Sequence, residues 1–294
     1  MQGKKVKQIV IISGKGGTGK TILTASFASL AENIVLADCD VDAANLYLMV
    51  HPEIKEKHSF TGGEKAIYDE EKCTYCGLCV SLCRFGAIHS SNEGNISIDP
   101  LSCEGCRVCA LSCPSQAIEM KLTVCGEWYV SHTKYGPFVH ARLHPGEENS
   151  GKLVSVVRRK AKEIAESNSN DIVLIDGPPG IGCPVIASLS GVDLAVVVTE
   201  PTLTAIHDME RVIETSKHFK VKPACIVNKY DINEMNTQSI IQWCHNNNVE
   251  FLGIVSYSDE VIKAISQGIP VPENPGSKIK KEIKAIWSNI KNIC

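Results

Sequence analysis

Gln8-Ile9-Val10-Ile11-Ile12-Ser13 runs directly into Gly14-Lys15-Gly16-Gly17-Thr18-Gly19-Lys20-Thr21. Four consecutive branched aliphatic residues bounded by glycine predict a strand buried on both faces, as in a parallel sheet. The eight residues that follow fit G-x4-G-K-[ST], in which glycines let backbone N–H groups converge on phosphate oxygens. Lys20 is expected to reach the β- and γ-phosphates of a nucleotide, and the Thr21 hydroxyl to bind Mg²⁺. Thr21–Ala31 reads as a helix whose N-terminus faces the anion. A strand before the loop and a helix after it separate a phosphate site from an ordinary glycine turn.

Further strands are expected at Asn33–Ala37, Asp171–Asp176, Leu194–Val198, Ala224–Val227 and Phe251–Val255. Helices are expected at Leu153–Glu166, Thr202–Phe219 and Ser277–Ile290. In the last, Ile279, Ile283, Ile286, Trp287 and Ile290 form one stripe. Strands alternating with helices, with the phosphate loop after the first strand, predict a doubly wound α/β fold with a mostly parallel sheet. Asp176 ends its strand where a Mg²⁺-holding carboxylate is expected.

A second pattern interrupts the first. Cys73, Cys76, Cys79 and Cys83, then Cys103, Cys106, Cys109 and Cys113, each read C-x2-C-x2-C-x3-C, the spacing that holds [4Fe–4S] clusters. The fourth cysteine of each run normally ligates the other run's cluster. One cluster is therefore assigned to Cys73, Cys76, Cys79 and Cys113, and the other to Cys103, Cys106, Cys109 and Cys83. Zinc is the competing reading of the same thiolates. Pro114 follows the second run and Arg84 the first. Cys83-Arg84-Phe85-Gly86-Ala87-Ile88 parallels Cys113-Pro114-Ser115-Gln116-Ala117-Ile118, so the stretch is an internal repeat. It has few large apolar residues, so its clusters must help hold it together. An inserted α+β ferredoxin-like domain is expected at 64–122, dividing a nucleotide domain into 1–63 and 123–294. His51–Thr61 reads as a polar linker into it. Val124–Val139 reads as a hairpin turning near Gly136-Pro137, and His132, His140 and His144 fall in or after it without metal-site spacing.

Composition removes several function classes. A net charge of −3 over 294 residues leaves no electrostatic footprint for nonspecific nucleic-acid binding. No apolar run is long enough to cross a membrane, and the N-terminal run is too short for a signal peptide. Fourteen cysteines without a secretion signal predict reduced thiols in a cytoplasm.

The loop with its extra lysine, Ser13-Gly14-Lys15-Gly16-Gly17-Thr18-Gly19-Lys20-Thr21, resembles the deviant Walker A motif of the MinD/ParA/Mrp ATPase superfamily, which includes the nitrogenase iron protein. The resemblance spans nearly the whole chain. It implies that Lys15 reaches across an ATP-dependent homodimer to the partner's phosphates. It implies a first switch at Asp38-Cys39-Asp40-Val41-Asp42, with Asp40 acting on the attacking water and Asp38 supporting the Mg²⁺ shell. Gly177-Pro178-Pro179-Gly180-Ile181-Gly182 resembles the second switch. Asn228 is implied to contact the base, and the Pro270–Pro275 loop, with Pro272 and Glu273, to cover it. Asn228-Lys229-Tyr230-Asp231 also resembles a guanine motif, which keeps GTP as an alternative to ATP. Cys183 follows Asp176 by seven residues, an offset similar to that of the cluster-bridging cysteine of the nitrogenase iron protein, but no second cysteine clearly matches, and a plain thiol is the other reading. The last helix resembles the membrane-touching helix of MinD, against the simpler reading of a helix packed on the sheet.

Three roles follow. The resemblance to the Mrp branch implies an ATP-dependent carrier that delivers iron–sulfur clusters or metal to an apo-protein. The resemblance to the nitrogenase iron protein implies ATP-gated electron transfer to a redox partner. A redox-sensing spatial organiser ranks last, because the basic patch and clear membrane helix it needs are missing.

Overall fold

A computed structural model describes residues 5–91, 94–147, 149–274 and 279–294. In chain order it gives β1 (Lys7–Ser13), α1 (Lys20–Ala28), β2 (Ile34–Asp38), α2 (Tyr47–Val50), β3 (Glu53–Tyr68), α3 (Leu78–Leu82), β4 (Ile88–Ser90), β5 (Ile96–Ile98), α4 (Val108–Ser112), β6 (Ile118–Thr133) and β7 (Gly136–Leu143). There follow α5 (Ser150–Ser167), β8 (Ile172–Pro179), α6 (Cys183–Leu189), β9 (Leu194–Thr199), α7 (Leu203–His218), β10 (Lys222–Asn228), α8 (Glu234–Asn246), β11 (Glu250–Val255), α9 (Asp259–Gln267) and α10 (Ile279–Ile293).

The described residues form a sheet in the order β11-β10-β9-β1-β8-β2-β7-β6-β3. From β11 to β7 the neighbouring strands run parallel. Ile9, Val10, Ile11 and Ile12 are all completely buried, which is why β1 shows no polar alternation. On one face Ile9, Ile11, Leu36, Leu174 and Val196 pack with Leu23 and Phe27 of α1 and the stripe of α10. Trp287 of α10 stacks on Phe27 at 5.5 Å between ring centres. The whole α10 stripe is thus buried in the core, as the simpler reading expected. The expected start of that helix, Ser277 and Lys278, lies outside the described residues. On the other face α5 packs on β2 and β8, α6 on β8, and α7 on β9 and β10. No helix among the described residues is long and apolar enough to cross a membrane.

Two sequence expectations are corrected. The stretch expected as a linker, His51–Thr61, is mostly strand: β3 begins at Glu53. It is the last strand of the sheet, and an edge strand tolerates the charges of Glu53, Lys55, Glu56 and Lys57 that made it read as loop. The hairpin joining β6 to β7 turns at Lys134–Tyr135, two residues before the expected Gly136-Pro137. Gly136 instead opens β7, with φ 132° and no room for a side chain, since a Cβ would meet the Ile34 carbonyl at 2.4 Å.

The chain divides into two compact units. The larger holds the residues up to His58, Trp128–Arg142 and Ser150–Cys294. The smaller holds Ser59–Glu127 and Leu143–Asn149. In the smaller unit β4 and β5 form an antiparallel pair, with Ile88 opposite Ile98. Its core is Ala66, Ala87, Ile88, Ile96 and Ile118 together with Cys103 and Cys109, and Cys73, Cys79 and Cys83 pack against it.

Candidate functional site

The phosphate loop leaves β1 at Ser13, and α1 starts at Lys20. Gly17 and Gly19 take φ values of 80° and 92°, in the left-handed region that favours glycine. Gly14 has its back against Asp208 of α7, where a Cβ would lie 2.3 Å from the Asp208 Cβ. Gly16 faces open space. Asn228, at the end of β10, donates its side-chain amide to the Thr18 carbonyl at 2.8 Å. Asn228 thereby braces the loop as well as lining the cavity beside it.

Two carboxylates meet the base of the loop. Asp38 ends β2, and Asp176 lies opposite it in register on β8. Both are fully buried. Asp38 accepts the backbone N–H groups of Asp40 at 3.1 Å and Leu46 at 3.2 Å. Asp176 Oδ1 accepts the Thr24 hydroxyl at 2.9 Å, and the Thr21 side chain lies close enough to favour the same carboxylate's charged form. Its other oxygen, Oδ2, is buried with no partner, as is the Thr18 hydroxyl. A buried carboxylate oxygen left without a donor is costly unless something positive meets it, so this donor set fits a divalent cation. Burial pushes Asp176 up to about 6, against hydrogen bonds from Thr21 and Thr24 and the charge of Lys20. Burial, then the charge of Asp176, raises Asp38 well above the ordinary carboxylate range. Asp40 is also raised by burial, partly offset by Lys20, so Asp40 and Lys20 share one neighbourhood. Burial raises the Cys39 thiol; it is a wholly buried core residue.

A cavity of about 270 Å³ opens beside the loop. Its walls are mostly aliphatic, including Ile22, Val255, Val261, Ile265, Val271 and Ile283, with Asn228 and Lys229 at its edge. An apolar cleft with a few polar groups suits a nucleobase. Pro272 and Glu273 do not line it. Glu273 is instead held by Lys134 at 2.6 Å and by the Tyr135 hydroxyl at 2.9 Å; Val271 of the same loop reaches the cavity. Asp231, the acid of the guanine-like motif, accepts the Tyr257 N–H at 2.8 Å.

The smaller unit repeats itself. Left-handed residues occur at Tyr75 and Gly105, Gly77 and Arg107, Gly86 and Gln116, so 105 − 75, 107 − 77 and 116 − 86 all equal 30. The two halves are also cross-bonded. Asp69 donates its N–H to the Ala117 carbonyl, and Asp99 donates to Ala87, both at 2.8 Å. Each bond ties the lead-in to one cysteine run to the tail of the other. Accordingly Cys73, Cys76, Cys79 and Cys113 line one cavity. Backbone N–H groups point at their sulfurs, from Tyr75 to Cys73 and from Ala117 to Cys113, each at 3.3 Å. Cys103, Cys106 and Cys109 are likewise close enough to feel one another's charge. Among the described residues no three His, Cys, Asp or Glu side chains converge to the distances of a closed metal site. The cavity lined by four thiols is the grouping of ligands a cubane would need.

The remaining candidates separate from these sites. His140 is buried between Phe138 and Tyr129, bonded to Ser131 at 3.0 Å, and pushed down to about 4 by burial. His132 and His144 are exposed. Cys183 is exposed at the start of α6, and Cys125 is buried. Sequence reasoning missed Thr24, which bonds Asp176, and Glu200 and Asp208, which reach the loop only through the fold.

The family model described as the CobQ/CobB/MinD/ParA nucleotide binding domain matches residues 9–271. The uncharacterized protein MJ0578 of Methanocaldococcus jannaschii is 34% identical over 290 residues, covering 97% of both chains. Pyruvate synthase subunit PorD of the same organism is 40% identical over 65 residues, covering 22% of this chain and 76% of that one. The septum site-determining protein MinD of Pyrococcus horikoshii, solved with Mg-ADP, superposes with a TM-score of 0.60 at 17% identity, over 98% of this chain and 97% of that one.

Proposed function

The chain belongs to the CobQ/CobB/MinD/ParA nucleotide-binding family, and from that premise we propose a Mg²⁺-dependent ATPase whose nucleotide cycle is coupled to two resident [4Fe–4S] clusters, as an ATP-gated electron donor. Lys20 would carry the developing phosphate charge and Asp40 the attacking water. Asp176 and Thr21 would hold Mg²⁺, with Asp38 behind them. Lys15 would act across an ATP-dependent homodimer. The clusters would take the ligands expected from the spacing, Cys73, Cys76, Cys79 and Cys113 for one, Cys103, Cys106, Cys109 and Cys83 for the other. Bound clusters would supply one-electron chemistry.

The observation that carries the electron-donor reading is the packing of the smaller unit. Cys73, Cys79, Cys83, Cys103 and Cys109 are part of its core or packed against it, so clusters held by them would be partly enclosed and slow to leave. Resident clusters suit electron transfer. Delivery of clusters or metal to an apo-protein is the second reading, and the exposure of Cys76 and Cys106 favours it.

The test is iron and sulfide per chain, prepared without oxygen, before and after mixing with ATP and a separable apo-ferredoxin. About eight irons that stay in place support the fixed relay. ATP-dependent loss to the acceptor overturns it in favour of delivery. Zinc in place of iron refutes both.

A further inference from the structure

Two ammonium groups at the rim of the phosphate loop already share one partner. Lys15 Nζ lies 3.3 Å from Glu200 Oε2 and 3.4 Å from the Thr202 hydroxyl. Lys229 Nζ bonds the other oxygen, Glu200 Oε1, and stands 3.5 Å from the Gly17 carbonyl inside the loop. Glu200 directly follows β9, the strand beside β1. Only 11% of its side chain is exposed.

The electrostatics of this arrangement oppose phosphate. A carboxylate largely removed from water holds a cation more strongly than an exposed one, because the local dielectric is lower. Here it holds two cations, one from the loop and one from the residue after β10. A polyphosphate arriving at the loop must draw Lys229 away from it, or, across a dimer, Lys15, and must also approach a fixed negative charge. Both effects weaken binding of phosphate. Neither touches the base.

We propose that Glu200 is an internal counter-anion to Lys15 and Lys229, which the phosphates of a nucleotide displace, so that Glu200 sets the threshold for nucleotide binding. The inference rests on the ATPase reading of the loop. Glu200 acts through the two lysines and is a positioning residue.

The test is calorimetric binding of ATP, ADP, adenosine and inorganic pyrophosphate to the full chain and to Glu200→Gln, which keeps the shape and removes the charge. ATP and pyrophosphate are expected to bind about tenfold more tightly to the variant, ADP somewhat less so, and adenosine unchanged. In a Lys15→Ala/Lys229→Ala background, adding Glu200→Gln is expected to give a clearly smaller gain, because only the direct repulsion between Glu200 and phosphate is left to relieve. Glu200→Asp, too short to reach both lysines, gives a smaller gain of the same sign and serves if the amide variant fails to fold. Equal or weaker binding of ATP, an equal gain for adenosine, or a gain undiminished without the lysines overturns the proposal. A native chain that binds no nucleotide refutes the ATPase reading itself and this inference with it. Normal native binding with an unresponsive variant refutes the inference alone.

Discussion

Asp38 and Asp176 stand side by side in register on adjacent parallel strands, and both carboxyl groups are wholly buried. Two buried acids so close cannot both ionise cheaply without a cation.

That pair sets a pH dependence. Burial raises Asp176 to about 6 and raises Asp38 too. The folded chain therefore binds these protons more tightly than the unfolded chain does. Without metal, the pair's contribution to stability is expected to fall as pH rises from the ordinary carboxylate value, 3.8, through about 6. Mg²⁺ competes with the proton, so stabilisation by Mg²⁺ should grow over the same window. Thermal unfolding with and without Mg²⁺ across that range checks it. A Mg²⁺ effect independent of pH would contradict it, and Asp176→Asn should flatten the dependence.

Lys20→Ala should leave the chain folded and lower ATP hydrolysis by about 100-fold or more, the size of losing one preorganised charge in the transition state. Phosphate release from matched preparations is the measurement. Turnover like that of the native chain would remove Lys20 from the reaction.

The strand that carries the phosphate loop was legible because four aliphatic residues in a row, closed by glycine, suit little besides a strand buried on both faces. The α10 stripe was legible for a similar reason, a period that matches a helix. β3 was not, since an edge strand lets charged residues face water on both sides and so imitates a loop. The cysteine spacing gave the grouping of thiols, while the bonds Asp69–Ala117 and Asp99–Ala87 that cross the halves over could only come from the fold. Glu200 lies 185 residues beyond Lys15 in the chain (200 − 15) and has no motif of its own. Glu273 illustrates the opposite failure: a plausible base contact by position, it is occupied by the hairpin tip instead.

Cys76→Ala should remove one cluster, about four irons of about eight, and soften the smaller unit. Iron analysis and proteolysis of the anaerobic protein read both effects. An unchanged iron count would break the ligand assignment.

Tyr68 lines the cavity of Cys73, Cys76, Cys79 and Cys113, and its hydroxyl is buried without a hydrogen-bond partner. Thirty residues on, at the matching position of the repeat, stands Ile98. Only one cluster would then receive a hydroxyl donor. A donor to a ligand sulfur stabilises the reduced, more negative cluster and raises its potential. Tyr68→Phe should lower one potential by some tens of millivolts, the worth of a hydrogen bond of about 1 kcal/mol, and leave the other alone. Redox titration followed by electron paramagnetic resonance checks it. Two potentials that both stay fixed would exclude the hydroxyl as a tuning group.

β1 and β2 do not touch: β8 is wedged between them. As the polypeptide leaves the ribosome, the first two strands must therefore wait for residues 172–179 before they share a neighbour. Asp176 arrives on that same wedge, so a complete phosphate and cation site cannot exist until then. All eight cysteines of the repeat have emerged long before. The order of synthesis thus delivers the whole cysteine repeat while the nucleotide half is still an open, unjoined sheet.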